Sequence, residues 1–382
     1  MHARKLMLAA VGAALIAPHA LPQSAEAKSI AVARPAPPPK IQVALLLDTS
    51  NSMDGLINQA KSELWSIVGR MSEARRGRRH AVIEVALFEY GKQSLPRGEG
   101  YVRLISPLTT DLDRISEELF ALRTNGGDEW AGVVIDKATT GLTWSKSARD
   151  YKAIFIAGNE PFTQGPLAYQ KAIAQARSNG IVINTIHCGD TLTGQRTGWA
   201  AGAELGGGRY MAINHNAVRM QIATPYDKEI ARLNSSLNRT YVAYGRAGKS
   251  RAARQRAQDS NAATMGAGVA AERAATKAGR AYKNSGWDLV DGVAEGEADV
   301  AKLKKEELPA EMRKMNKAQR KRYIAKKAAE RKRLQKRISK LAKKRKTYIA
   351  NKRKAQGKAN TLDKVMRQTV DSQLKAKGYR MK

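Results

Sequence analysis

Cysteine is all but missing from this sequence: Cys188 stands alone among 382 residues, so no disulfide can form within the chain and stability must come from a packed core. Aromatic residues are sparse as well, at 5%, and the basic stretch near the C-terminus offers only Tyr323 and Tyr348, too few for a platform on which bases would stack. No apolar run reaches the ~20 residues that a membrane-crossing helix requires. Acidic residues are in short supply, 34 against 68 Lys and Arg. The imbalance is local, because residues 246–382 hold 40 basic and 13 acidic side chains, +27 of the total +34. There are five histidines, and none falls in a His-Glu-x-x-His spacing, so a zinc hydrolase is not indicated.

What is present begins with the layout of a cleavable signal peptide. His2-Ala3-Arg4-Lys5 leads into the apolar run Leu6 to Ile16 and then to Ala25-Glu26-Ala27, which predicts cleavage after Ala27 and export to the periplasm or beyond. Residues 28–40 follow as a linker, extended by Pro35, Pro37, Pro38 and Pro39. Cys188 lies beside His187, but it ends the apolar run that starts at Ile181, where a small and weakly polar side chain belongs in a core rather than at a nucleophilic site.

From residue 41 onward, short apolar runs alternate with helical spacing. Ile41 to Leu47, Ala81 to Phe88, Ala153 to Ile156 and Ile181 to Ile186 read as strands, with Tyr101 to Ile105 as a shorter edge strand and Tyr210 to Ile213 as the last. Between them, Ile57, Leu64, Ile67 and Val68, then Leu112, Ile115, Leu119 and Leu122, recur at helical intervals, and a further helix is expected from about Ala217 to Leu237. This alternation predicts an α/β fold: a doubly wound, mainly parallel, Rossmann-like sheet over residues 41–245.

Residues 246–382 carry no strand signal and predict a basic, mostly α-helical region, with a hinge in 246–283 and a long helix from Glu311 to about Lys354. Residues 313–354 hold 21 Lys or Arg and one acid, Glu330. Ile324, Leu334, Ile338, Leu341 and Tyr348 form a heptad-like stripe that Lys327, Arg331 and Arg345 interrupt. An amphipathic helix with one apolar seam is expected there, in place of a continuous coiled coil.

The first strand runs straight into Asp48-Thr49-Ser50-Asn51-Ser52. Ligands of open α/β sheets collect beyond the carboxyl ends of strands, and one carboxylate with two hydroxyls makes a hard, all-oxygen half-shell suited to Mg²⁺, Ca²⁺ or Mn²⁺. Capping of the following helix would use only one of these residues. In this Asp-x-Ser-x-Ser turn the sequence resembles the von Willebrand factor type A (vWA) family, whose metal-ion-dependent adhesion site is built on such a turn. The resemblance covers about residues 41–245 and implies a vWA-like fold, a divalent cation with Mg²⁺ first, and adhesion to a protein partner. In that family a second loop supplies a Thr and a third an Asp. Here the second reads Thr124-Asn125-Gly126-Gly127-Asp128-Glu129 and the third Ala157-Gly158-Asn159-Glu160. The resemblance therefore assigns Asp48, Ser50, Ser52, Asp128 and Asn159 to the metal, with Thr124, Glu129 and Glu160 as neighbouring alternatives.

Ala243 to Ser250 meets a relaxed phosphate-loop pattern, but Ala243 replaces its first Gly and the segment follows the end of the sheet domain. With no nucleophile, base and acid in a coherent set, the expectation is a non-enzymatic exported binding protein that holds its partner through the metal site. The competing expectation is an envelope-associated structural protein whose basic helices bind an anionic surface or an acidic protein, without specific recognition of nucleic acid.

Overall fold

The computed structural model describes residues 37–213, 222–355 and 362–381. The expected signal peptide and most of the linker lie outside them. Strand β1 (Lys40–Asp48) is apolar without a break because both of its faces are covered: Val43 and Leu47 belong to one core cluster, Ala44 and Leu46 to another. A two-stranded ribbon, β2 (Arg75–Arg76) and β3 (Arg79–His80), precedes β4 (Val82–Tyr90), β5 (Val102–Thr109), β6 (Tyr151–Gly158), β7 (Val182–Cys188) and β8 (Gly207–Ile213). The main sheet runs β5-β4-β1-β6-β7-β8. All its pairings are parallel except that of β4 with the edge strand β5. From β1 the chain winds first toward β4 and β5, then returns to place β6 on the other side, so the order reverses between β1 and β6. A doubly wound sheet opens its ligand crevice at that point.

Helices α1 (Asp54–Met71) and α2 (Leu112–Ala121) cover one face; α3 (Ala131–Gly141), α4 (Tyr169–Ser178) and α6 (Trp199–Leu205) cover the other, and the short α5 (Thr191–Arg196) follows β7. The helix expected from Ala217 begins only at Asp227: residues 217–221 lie outside the described residues, and α7 spans Asp227–Asn238. Pro225 disfavours a helical conformation at Thr224, and Thr224 instead donates through both its backbone N–H and its hydroxyl to the Asp227 carboxylate, each at 2.8 Å.

The basic region forms α8 (Gly248–Thr264), α9 (Ala267–Lys277), α10 (Leu289–Ala294), α11 (Lys317–Ala355) and α12 (Leu362–Ala376). The hinge expected in 246–283 is Gly266, at φ +113° between α8 and α9, a conformation that glycine tolerates. Helix α11 starts later than Glu311 because Asn316 and Gln319 cap it reciprocally, each side chain accepting from the other's backbone N–H at 2.8–2.9 Å.

The sheet's core does not stop at residue 245. Ala262, Val269 and Tyr282, with Met366, Val370 and Leu374 from α12, belong to the same buried cluster as Trp65, Val68 and Ile115. Gln373 of α12 donates to Asn184 at 2.7 Å and accepts from the Tyr151 hydroxyl at 2.6 Å. Burying a charge demands a partner, and this junction supplies one for each. Arg273, 1% exposed, bonds Asp113 of α2 at 2.9 Å and Asp259 of α8 at 2.5 Å, while Lys277 bonds Asp259 at 2.7 Å. The seam of α11 packs through Leu334 and Ile338 on Ile230, Leu233 and Leu237 of α7, and Ile324 joins a separate cluster with Val242 and Leu289.

Candidate functional site

Asp48 ends β1 fully buried, with its carboxylate turned back onto its own loop: Oδ1 accepts from the Ser50 backbone N–H at 2.7 Å and Oδ2 from the Ser50 hydroxyl at 3.1 Å. The neighbouring strand anchors the loop, since Thr49 donates its N–H to the Tyr90 carbonyl at 2.9 Å. The second loop is tied to the first by Asn125 N–H to Thr49 O at 2.9 Å, and to the segment after β4 by Gln93 N–H to Gly126 O at 2.5 Å. Gly91 makes this crowding possible. It has φ +77°, and a Cβ there would sit 2.6 Å from Asp48 Oδ1 and 2.8 Å from Glu129 Cγ.

Among the second-loop carboxylates it is Glu129 that enters the site. It is 4% exposed, in hydrogen-bonding contact with Asp48 and Ser50, and one of its oxygens accepts from the Glu160 backbone N–H at 3.3 Å. Its own N–H is held by the Gln164 side chain at 2.6 Å. The next residue, Trp130, is wedged edge-on against Tyr101 with ring centroids 5.2 Å apart and lies against Gly165, which fixes the start of α3 and with it Glu129. Asp128 is exposed and makes no hydrogen bond or ion pair among the described residues. Thr124 is engaged elsewhere, donating to Asp54 in the first turn of α1 at 2.7 Å. Ser52 lies in the 3-10 turn that leads into α1, and its side chain is outside what is described. Asn159 stands half-buried directly after β6, and Glu160 beside it is exposed.

Neither Asp48 nor Glu129 has a Lys or Arg against it among the described residues. Burial, and after it the Glu129 charge, push the Asp48 carboxyl well above the usual carboxylate range, and burial raises Glu129 too. No group of three or more His, Cys, Asp or Glu that could hold a metal ion occurs among the described residues, so the donor set is two carboxylates supplemented by hydroxyls. Two buried acids without a countercharge, with a serine hydroxyl between them, fit a hard divalent cation. Asp48, Ser50 and Glu129 are the residues that would hold it.

Nearby candidates take other roles. Cys188 is 2% exposed, and burial first, then the Asp48 and Glu129 charges, push its thiol well above the ordinary range, which suits core packing better than nucleophilic attack. His187 packs 5.7 Å from the Trp199 ring. The phosphate-loop-like segment turns at Gly245, pairs Ala243 with Asp288, and enters α8 at Gly248. Its backbone N–H groups are already taken up, Tyr244 by the Trp287 carbonyl and Gly245 by the Glu307 carbonyl, each at 2.9 Å.

An Asp-x-Ser turn thus stands at the reversal point of a doubly wound sheet. Residues 42–201 match the family model of the von Willebrand factor type A domain, and over that stretch the chain is a domain of this family. A comparison with curated proteins returned no match. Among solved structures, proximal thread matrix protein 1 from the mussel byssus is similar with a TM-score of 0.34 and 14% identity, covering 47% of this chain. The chain spans 42% of that protein's length. An aerotolerance-related membrane protein from Bacteroides fragilis gives 0.32 at 16% identity, over 46% of this chain and 93% of its own. The VWA domain of SpRpn10 gives 0.33 at 16%, over 46% and 88%.

Proposed function

We propose that the chain is an exported, non-enzymatic binding protein whose vWA domain recognises a protein partner through a divalent cation, Mg²⁺ first and Ca²⁺ or Mn²⁺ as alternatives. The observation that carries this reading is the buried, uncompensated Asp48–Glu129 pair at the sheet's reversal point. vWA domains generally bind proteins. When bound, the cation supplies positive charge and an open coordination position for a partner oxygen. The chain's own residues do the rest: Asp48 and Ser50 present oxygens from a loop locked to Tyr90, Glu129 adds a second carboxylate from the start of α3, and Gly91 leaves room for both. Asp128, exposed, and Asn159, half-buried, would meet the partner beside this pair. The presequence supports export, and no helix among the described residues is long and apolar enough to cross a membrane. The test is retention of partner material on the immobilised full chain in Mg²⁺, in EDTA and with Asp48→Ala. Loss in both of the latter is expected; undiminished retention in EDTA contradicts the reading.

A second reading is favoured by the outer side of α11. The interrupting residues of its seam are used internally, whereas Lys321, Lys326, Lys332, Lys336, Lys340 and Lys344 are exposed along a 39-residue helix with no ion pair among the described residues. Such a ridge, about 35 Å long from Lys321 to Lys344 at the α-helical rise, suits an anionic envelope surface or an acidic protein. Retention through it would be salt-sensitive and indifferent to EDTA, and would fall on reversing the charge of these lysines.

A further inference from the structure

A cleft of about 860 Å³ lies where α1, the β2–β3 ribbon, α9, α11 and α12 meet, and none of Asp48, Ser50 or Glu129 lines it. Its walls along α9 and just past its end are small, with Gly268, Ala271 and Ala275 at helical intervals and Gly279 beyond, which is what keeps the space open. Its charge is one-sided: seven Lys or Arg line it against two Glu. Two of the seven are neutralised, Arg70 by Asp371 and Glu73 and Arg345 by Asp227 and Glu272. Arg75, Arg280, Lys343 and Lys346 form no ion pair among the described residues.

Two buried donors in the lining also lack acceptors. Trp65 is 1% exposed, and its indole Nε1 has no hydrogen-bond partner among the described residues; neither has the buried Nε of Arg75. Both groups are donor-only, so no reorientation lets either satisfy the other. The Trp65 ring is held in place by the Arg273 guanidinium, 4.5 Å from its centroid, and its carbonyl by the Thr276 hydroxyl at 3.0 Å. The cleft thus holds more donors and positive charge than acceptors and negative charge.

We infer that this cleft binds a multiply charged, phosphate-bearing anion, with Trp65 and Arg75 donating from the floor and Arg280, Lys343 and Lys346 closing over it from the rim. A single carboxylate would leave most of this charge unmatched, whereas phosphate oxygens accept several charge-assisted bonds at once. The volume falls in the range of small-molecule sites. The ligand is a soluble phosphate compound or the headgroup of an anionic lipid, the same chemistry from two sources.

The test uses the full chain, with inorganic pyrophosphate followed by calorimetry and tryptophan fluorescence, and with phosphatidylglycerol vesicles against phosphatidylcholine vesicles. Saturable binding in either arm is expected, the first arm alone marking a soluble ligand and the second alone a lipid headgroup. Lys343→Gln with Lys346→Gln should weaken it at least about tenfold, and Trp65→Phe, which keeps the packing and removes the donor, about three- to tenfold. Lys228→Gln with Lys249→Gln, exposed but outside both the cleft and the α11 ridge, should leave it within about twofold. Absence of saturable binding in both arms overturns the inference. So does an equal loss in the outer pair, which would mean diffuse charge, or an unchanged affinity in a folded Trp65→Phe protein.

Discussion

Arg331 of the long basic helix points inward: its guanidinium is 2.6 Å from Asp288, a carboxylate with no exposed surface, and reaches Asp291 at 2.7 Å and the Thr240 carbonyl at 2.7 Å. A charge that breaks the apolar stripe is thus the bolt that sets the helix's register. Arg345 repeats the device one face-length on, with Asp227 at 2.8 Å. Removing one member leaves the other charge buried and alone, so Arg331→Ala should destabilise by about 3–5 kcal/mol. Denaturant unfolding of the variant checks this, and a loss under about 1 kcal/mol would place Arg331 among ordinary surface pairs.

Gly91→Ala should cost about 1–2 kcal/mol from its left-handed backbone alone. It should also remove cation binding, because the new Cβ would fall 2.6 Å from Asp48 Oδ1. Calorimetric titration and thermal unfolding, run side by side, separate the two effects.

The acid limb of stability should report Asp259. Burial raises its pKa, but the Lys277 and Arg273 charges outweigh that and bring it down to about 2 from an ordinary 3.8. A carboxyl depressed by folding contributes stability that is whole above its unfolded pKa and is lost as pH falls through the folded one. About 2 kcal/mol should therefore disappear between about pH 4 and 2. Lys277 adds no slope there, since burial lowers it only to about 8 and below that pH it is protonated in both states. Asp259→Asn should flatten this limb while lowering stability at pH 7, as measured by denaturant unfolding across the pH series.

Glu129→Gln should make the metal-free protein more stable by about 1 kcal/mol, since one of two facing buried acids is neutralised. The same change should weaken cation binding, whereas Asp128→Asn should leave both nearly unchanged. Melting curves in EDTA and in Mg²⁺ distinguish the two carboxylates.

How far the sequence could be read depended on whether the deciding contacts were local. The buried β1 run and its Asp48 turn are local patterns, and so are the remaining strands, which form where the apolar runs lie. Alternation predicts a doubly wound sheet, whereas the strand order itself is set by pairings across the fold. The choice between Asp128 and Glu129 is different: adjacent acids in an aperiodic loop are told apart only by Trp130 locking against Tyr101 and Gly165, contacts made across the fold. Helix α3 carries Ala138, Thr139 and Thr140 where a stronger apolar stripe would announce it. Composition shifts at Gly245, yet Val269 and Val370 enter the sheet's own core, because burial depends on long-range partners that composition does not encode.

The most direct measurement is calorimetric titration of the purified full chain with Mg²⁺, Ca²⁺ and Mn²⁺, beside Asp48→Ala. Saturable binding by the native chain, lost in the variant, is the predicted result. Absence of binding for all three ions, or binding that survives Asp48→Ala, would contradict a cation site at the end of β1.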